Sequence, residues 1–106
     1  MEAVVRRKIL GLVGLGIRGR LAVVGVQQVR DAAKRGKLKL ALVAGDASRN
    51  SLNKVLPLLA ARKVVVIENL TSADLATISG RVSVSAIGII DTGLAKGIRS
   101  ALMADG

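Results

Sequence analysis

Apolar positions change their period several times along the 106 residues of this chain. From Ala3 to Ile17, Val5, Ile9, Leu12, Val13 and Gly16 fall on one helical face, a spacing that predicts an amphipathic helix. Leu21 to Val24 is an unbroken apolar run, too short for a helix and therefore read as a strand. Gly25 or Val26 opens the next helix, where Val29 and the Ala32-Ala33 pair recur at helical spacing and Gly36 supplies a C-terminal stop. Leu40 to Ala44 reads as a buried strand. Gly45-Asp46 or Ser48 caps the helix that follows, which carries Leu52, Val55, Leu56 and Leu59. Pro57 inside it is expected to bend that helix or mark its true end, because proline has no N–H and clashes with the preceding turn.

The β-branched run Val64-Val65-Val66-Ile67 predicts a central strand. Thr71 and Asp74 have the spacing of a reciprocal cap before a short helix through Ile78. Val84 to Ile90 forms the last strand, and Asp91 or Thr92 opens a closing helix with Leu94, Ile98, Ala101 and Leu102 on one face. Strands that are apolar throughout, alternating with helices, imply helices on both faces of a buried sheet. The expected fold is α/β, a three-layer α/β/α sandwich with about four strands and about five helices. No repeat, low-complexity tract or linker interrupts it, so residues 1–106 read as one domain.

Charge narrows the function. Seventeen Lys and Arg against seven Asp and Glu leave a formal charge of +10, which points to a polyanionic partner such as RNA, DNA or an acidic membrane surface. The plainer alternative is a solvated surface that keeps an apolar chain in solution. Cys and His are absent, so disulfides, Cys/His zinc sites and Ser-His or Cys-His nucleophile pairs are excluded. No enzyme activity, cofactor or metal is expected. The absence of aromatic residues argues against base-stacking platforms, leaving RNA to be read through backbone, shape and small apolar contacts. The longest uncharged stretches, Ile9–Ile17, Leu21–Val29 and Val82–Ile90, fall far short of the roughly 20 residues of a spanning helix. Arg6-Arg7-Lys8 ahead of an apolar run imitates a signal peptide, but no small-residue cleavage site follows. The chain is expected to be cytoplasmic and complete, with no membrane partner.

Gly14-Leu15-Gly16-Ile17-Arg18-Gly19 matches the G-x-G-x-x-G turn that cradles a dinucleotide pyrophosphate, and residues 8–13 could serve as the strand feeding it. The carboxylate such a site needs about 20 residues further on is missing from a strand end, since Asp31 falls in a helix and Asp46 comes late. Two alternatives to RNA binding therefore stand: a small nucleotide-binding domain using Gly14, Gly16 and Gly19, or a protein-interaction module. The glycines also read simply as a small-residue helix face.

Gly25-Val26-Gln27-Gln28-Val29-Arg30-Asp31-Ala32-Ala33-Lys34-Arg35-Gly36, then Leu40 to Ala47, Leu75 to Gly80 and Ala86 to Ile90, together resemble the kink-turn RNA-binding family. That family includes the archaeal large-subunit ribosomal protein L-seven-Ae and its short bacterial relatives, which residues 91–98 resemble most. The resemblance covers nearly the whole chain and implies a three-layer α/β/α protein that binds a kink-turn or related bent RNA in a ribosome or translation context.

It also implies where. In the family, a glycine opening the second helix lets backbone approach RNA, followed two and three residues on by Asn or Lys and by Glu or Gln. These positions are Gly25, Gln27 and Gln28, with Val26 between. A glutamine amide can both donate to and accept from base edges, although an exposed polar pair at a helix start looks the same. The loop Gly80-Arg81-Val82-Ser83-Val84 matches a second family surface, with Val82 as the apolar contact and Arg81 as a phosphate contact. Asp31 departs from the family, where a lysine is usual. Ten of the seventeen cations precede Leu40; of these Arg20, Arg30, Lys34 and Lys37 are the candidate phosphate contacts around the recognition helix. The expected partner is a structured RNA, ribosomal RNA among the candidates.

Overall fold

The computed structural model describes residues 1–103. The elements are α1 (Ala3–Arg18), β1 (Ala22–Val24), α2 (Val26–Lys34), β2 (Leu40–Ala44), α3 (Arg49–Ala61), β3 (Val66–Leu70), α4 (Ser72–Ser79), β4 (Ala86–Ile89) and α5 (Thr92–Met103). The strands form one mixed sheet in the order β1-β4-β2-β3. β4 runs antiparallel to both its neighbours and β2 runs parallel to β3. The C-terminal ends of β1, β2 and β3 therefore meet the N-terminal end of β4 at one end of the sheet.

Alternation along the strands divides the core. Leu40, Leu42 and Ala44 of β2 and Ile87 and Ile89 of β4 face α1, α4 and α5, packing with Ile9, Val13, Leu75 and Ile98. Ala41, Val43 and Ala86 face the other way, against Val29 and Ala33 of α2 and Val55 and Leu59 of α3. This is the expected three-layer sandwich. Leu40, Leu42, Ile87 and Ile89 are fully buried, each contributing about 1.5–3 kcal/mol of transfer free energy. Gly88 sits on the α2 face, where a Cβ would lie 2.5 Å from Leu38 Cδ2 and 3.2 Å from Val23 Cγ2. Its missing side chain lets α2 lie close to the middle of the sheet.

Local chemistry sets the helix ends. Thr71 and Asp74 form the expected reciprocal cap of α4, with bonds of 3.1 Å in both directions. Ser48, not Gly45-Asp46, caps α3 by accepting from the Ser51 N–H. Asp91 starts α5 by accepting from the Leu94 N–H at 2.8 Å.

Two expectations change. Pro57 does not end α3, which continues to Ala61; both Pro57 and Asn53, whose carbonyl loses its helical partner, are exposed, so water can satisfy that oxygen. The third strand lies at Val66–Leu70 and at the edge of the sheet, not at Val64–Ile67 in its centre. The Val64 N–H is held by the Leu59 carbonyl at the end of α3, which delays the strand, and an edge position lets exposed Glu68 and Asn69 extend it.

Candidate functional site

Among the described residues no polar or charged residue is buried. Chemistry on this molecule therefore lies on its surface, shared between helix faces and the turns at the sheet ends.

Gly25 is the N-cap of α2 with φ 105° and ψ 152°, a conformation open in practice to glycine alone. A Cβ there would meet nothing of the protein within 4 Å. Space beside this backbone is thus free for an incoming molecule. No side chain caps α2, and the first N–H to find a helical carbonyl is that of Val29, bonded to the Gly25 oxygen at 3.0 Å. The N–H groups of Val26, Gln27 and Gln28 are left as outward-facing donors at the positive end of the helix dipole.

The second stretch comes to the same place through the sheet. The Gly25 N–H donates to the Ala86 carbonyl at 2.8 Å, and the Ala44 N–H to the Ser85 carbonyl at 2.8 Å. These bonds hold the α4–β4 loop, residues 80–85, beside the start of α2. Within the loop Val84 is buried, whereas Val82 is 101% exposed. An apolar side chain presented wholly to solvent, on the loop that leads into the strand bonded to Gly25, and the exposed side chains of Gln27 and Gln28 make a surface suited to an unstacked base and its phosphate. Arg81 is also exposed in this loop.

The β2–α3 turn joins the same end. The Asp46 carboxylate accepts from the Ser72 N–H at 2.8 Å and the Ser72 hydroxyl at 3.2 Å, tying this turn to the start of α4. Linear order carries no signal for that long-range bond.

The remaining candidates separate. Arg30 donates to the Lys54 carbonyl on α3, so its guanidinium bridges two helices. Lys34 is exposed in the last turn of α2. Arg20 precedes β1 and Lys37 precedes β2, which puts both at the opposite end of the sheet from Gly25. Arg20, Lys37 and Lys39 thus do not gather around the start of α2, because β1 after Arg20 and α2 itself before Lys37 each span the sheet. Asp31 accepts from the Gln27 amide nitrogen at 3.0 Å, a pairing along one helix face that its i,i+4 spacing allows.

Gly14 and Gly16 lie inside α1, and Gly19 is its C-cap. No strand precedes them, so the dinucleotide turn does not form. Gly16 instead makes room for Leu94 of α5, whose Cδ2 would stand 2.3 Å from an added Cβ. Gly11 and Gly14 floor a groove of about 350 Å³ between α1 and α4, flanked by Arg7 and Arg18.

One mixed sheet between two helical layers defines a small α/β/α protein. Residues 9–98 match the Ribosomal protein L7Ae/L30e/S12e/Gadd45 family, and the chain belongs to it. Its fold is similar to that of a Bacillus halodurans protein of unknown function, at 25% identity and TM-score 0.81, covering 91% of this chain and 97% of that one. A Giardia lamblia 15.5kD RNA binding protein shares the fold at 17% identity and TM-score 0.78, covering 98% of this chain and 89% of its own. No curated protein sequence matches the chain. No described helix is long and apolar enough to cross a membrane.

Proposed function

We propose that this chain is a non-catalytic RNA-binding protein of the ribosome or translation machinery, acting in the cytoplasm as one domain, and that it recognises a kink-turn or similarly bent RNA. The observation that carries the reading is the junction of Gly25 with the α4–β4 loop. A glycine held at φ 105°, uncapped helix donors and a fully exposed Val82 are joined by one backbone bond to Ala86. Membership of a ribosomal protein family and the fold shared with an RNA binding protein support the same partner.

In this mode the N–H groups of Val26 to Gln28 and the Arg81 guanidinium hold phosphate. Gln27 and Gln28 bond base edges, and Val82 packs on a base turned out of the stack. A straight duplex offers no turned-out base. Discrimination should therefore depend on the bend.

The test compares a kink-turn RNA with a straight duplex of the same composition, using wild type, Gly25→Val and the double variant Gln27→Ala/Gln28→Ala. The wild type should prefer the bent RNA. Gly25→Val should remove that preference, since the added side chain projects into the space the RNA occupies. The double variant should lose about 1–3 kcal/mol of discrimination for each base contact removed. Unchanged discrimination in both variants would overturn the assignment of this surface.

A further inference from the structure

The end of the sheet remote from Gly25 carries a feature that bent-RNA recognition leaves unused. Three turns meet there: α1 to β1, α2 to β2 and α3 to β3. Backbone bonds fix their proximity, with the Ile90 N–H on the Leu21 carbonyl at 2.9 Å, the Lys39 N–H on Ile89 at 2.8 Å and the Ala41 N–H on Val65 at 2.9 Å. These turns expose Arg20, Arg35, Lys37, Lys39, Arg62 and Lys63. Among the described residues, the only carboxylate in the turns at this end is Asp91, and its Oδ2 accepts from the Leu94 N–H.

All three turns are built alike. Each helix closes with paired bonds running back to its last turn: Arg20 to Ile17 and Leu21 to Gly16, Gly36 to Ala33 and Lys37 to Ala32, Lys63 to Ala60 and Val64 to Leu59. The residue after the C-cap must then adopt a left-handed backbone, which favours glycine. Gly36 obeys, at φ 69°, but the other two positions are Arg20 at φ 61° and Lys63 at φ 56°. Among the described residues these are the only non-glycines with positive φ. At both, a cation stands where glycine would avoid strain.

Helix dipoles account for part of the charge, because three helix C-termini converge here and favour cations. That effect fades within the last turn. It does not reach Lys37 and Lys39 beyond α2, and it does not require a cation at the strained position itself. Crowded like charges repel one another, and a polyanion relieves that repulsion.

We propose that this cationic end is a second RNA surface that takes the phosphate backbone of an RNA duplex, so that one molecule holds two RNA segments at opposite ends of its sheet. The proposal rests on RNA being the partner. Three strand spacings separate β1 from β3, about 14 Å, and a nucleic-acid duplex carries about one charge per 1.7 Å of axis. A duplex stretch of that length carries roughly eight phosphates counted over both strands, about half of them turned to one side, enough for Arg20, Lys37, Lys39 and Lys63. With no aromatic residue in the chain, such a surface reads duplex shape and backbone, not base sequence.

The test uses the full chain and two probes, a straight RNA duplex of about 20 base pairs, longer than the ~16 that a duplex-reading domain spans, and a short kink-turn RNA. The variant is Arg20→Gly/Lys37→Gln/Lys39→Gln/Lys63→Gly. Its duplex affinity should fall more than about tenfold, with the log–log salt slope shallower by about 3 for four lost phosphate contacts. Its kink-turn affinity should stay within about threefold of wild type, because phosphate contacts at the far end do not touch that RNA. Its Tm should equal or exceed that of wild type, since glycine replaces both left-handed residues. Gly25→Val should show the reciprocal loss. Unchanged duplex affinity, or equal losses on both RNAs, overturns the second surface. A wild type that binds the duplex through these four residues but ignores the kink-turn RNA removes the bent-RNA reading and upholds this one.

Discussion

Asp31 stands where the resemblance leads one to expect a lysine, and its contact with Gln27 gives the difference a physical form. An exposed i,i+4 side-chain pair contributes only about 0.2–0.5 kcal/mol, while a good base contact is worth about 1–3 kcal/mol. The bond therefore biases the Gln27 amide without preventing it from turning to a base. The carboxylate charge matters more, since two unit charges 4 Å apart interact by about 1 kcal/mol even in bulk water. Asp31→Lys should tighten a kink-turn RNA clearly more than Glu68→Lys, which makes the same change in net charge on the far edge strand. Equal gains, measured by titration at fixed salt, would mean that only overall charge counts and that the surface around Gln27 is not where RNA lies.

Among the helices of the described residues, α4 has the shortest sequence and the most complete cap. Its eight residues would be marginal as an isolated helix. The Thr71–Asp74 reciprocal cap and the Asp46 contact to Ser72 hold its start, and Leu75 locks it to the core. Thr71→Ala should lower unfolding free energy by about 1 kcal/mol, read by denaturant titration. The α4–β4 loop, whose place depends on the end of α4, should then show faster amide exchange at residues 80–83. A loss of stability with no change in loop exchange would separate the loop's placement from the cap and leave buried Val84 and the Ala44–Ser85 bond to hold it.

For the whole molecule, charge is divided by the direction of the strands. Antiparallel β4 brings Ala86 to Gly25, and the same topology carries Arg20, Lys37 and Lys63 to the opposite end. Binding of a small bent RNA at the Gly25 end should neutralise about four phosphates, which corresponds to a log–log salt slope near −3. Salt-independent binding would exclude phosphate as the main source of affinity. A longer RNA that reaches both ends should give a steeper slope than the small one.

Local signals were sufficient for the order of the elements. The apolar run of β2, the Thr71-x-x-Asp74 cap, and the glycines before α2 and after α2 and α4 act over one to four residues, and each marks its element in the linear chain. The family resemblance drew on the same information, because Gly25, Gln27 and Gln28 are close neighbours in the sequence as well as in space. Pairing of distant segments has no such signature. An apolar run reads alike in the centre and at the edge of a sheet, so Val64–Ile67 looked central until its hydrogen bonds started the strand two residues later and at the rim. Proline read as a bend or a stop, and the exposure of Asn53, where water can take the orphaned carbonyl, removes the need for a stop. Most consequentially, the cations before Leu40 looked grouped around the recognition helix. Strand direction, which follows from long-range pairing and not from composition, put a sheet's length between Gly25 and Arg20, Lys37 and Lys39.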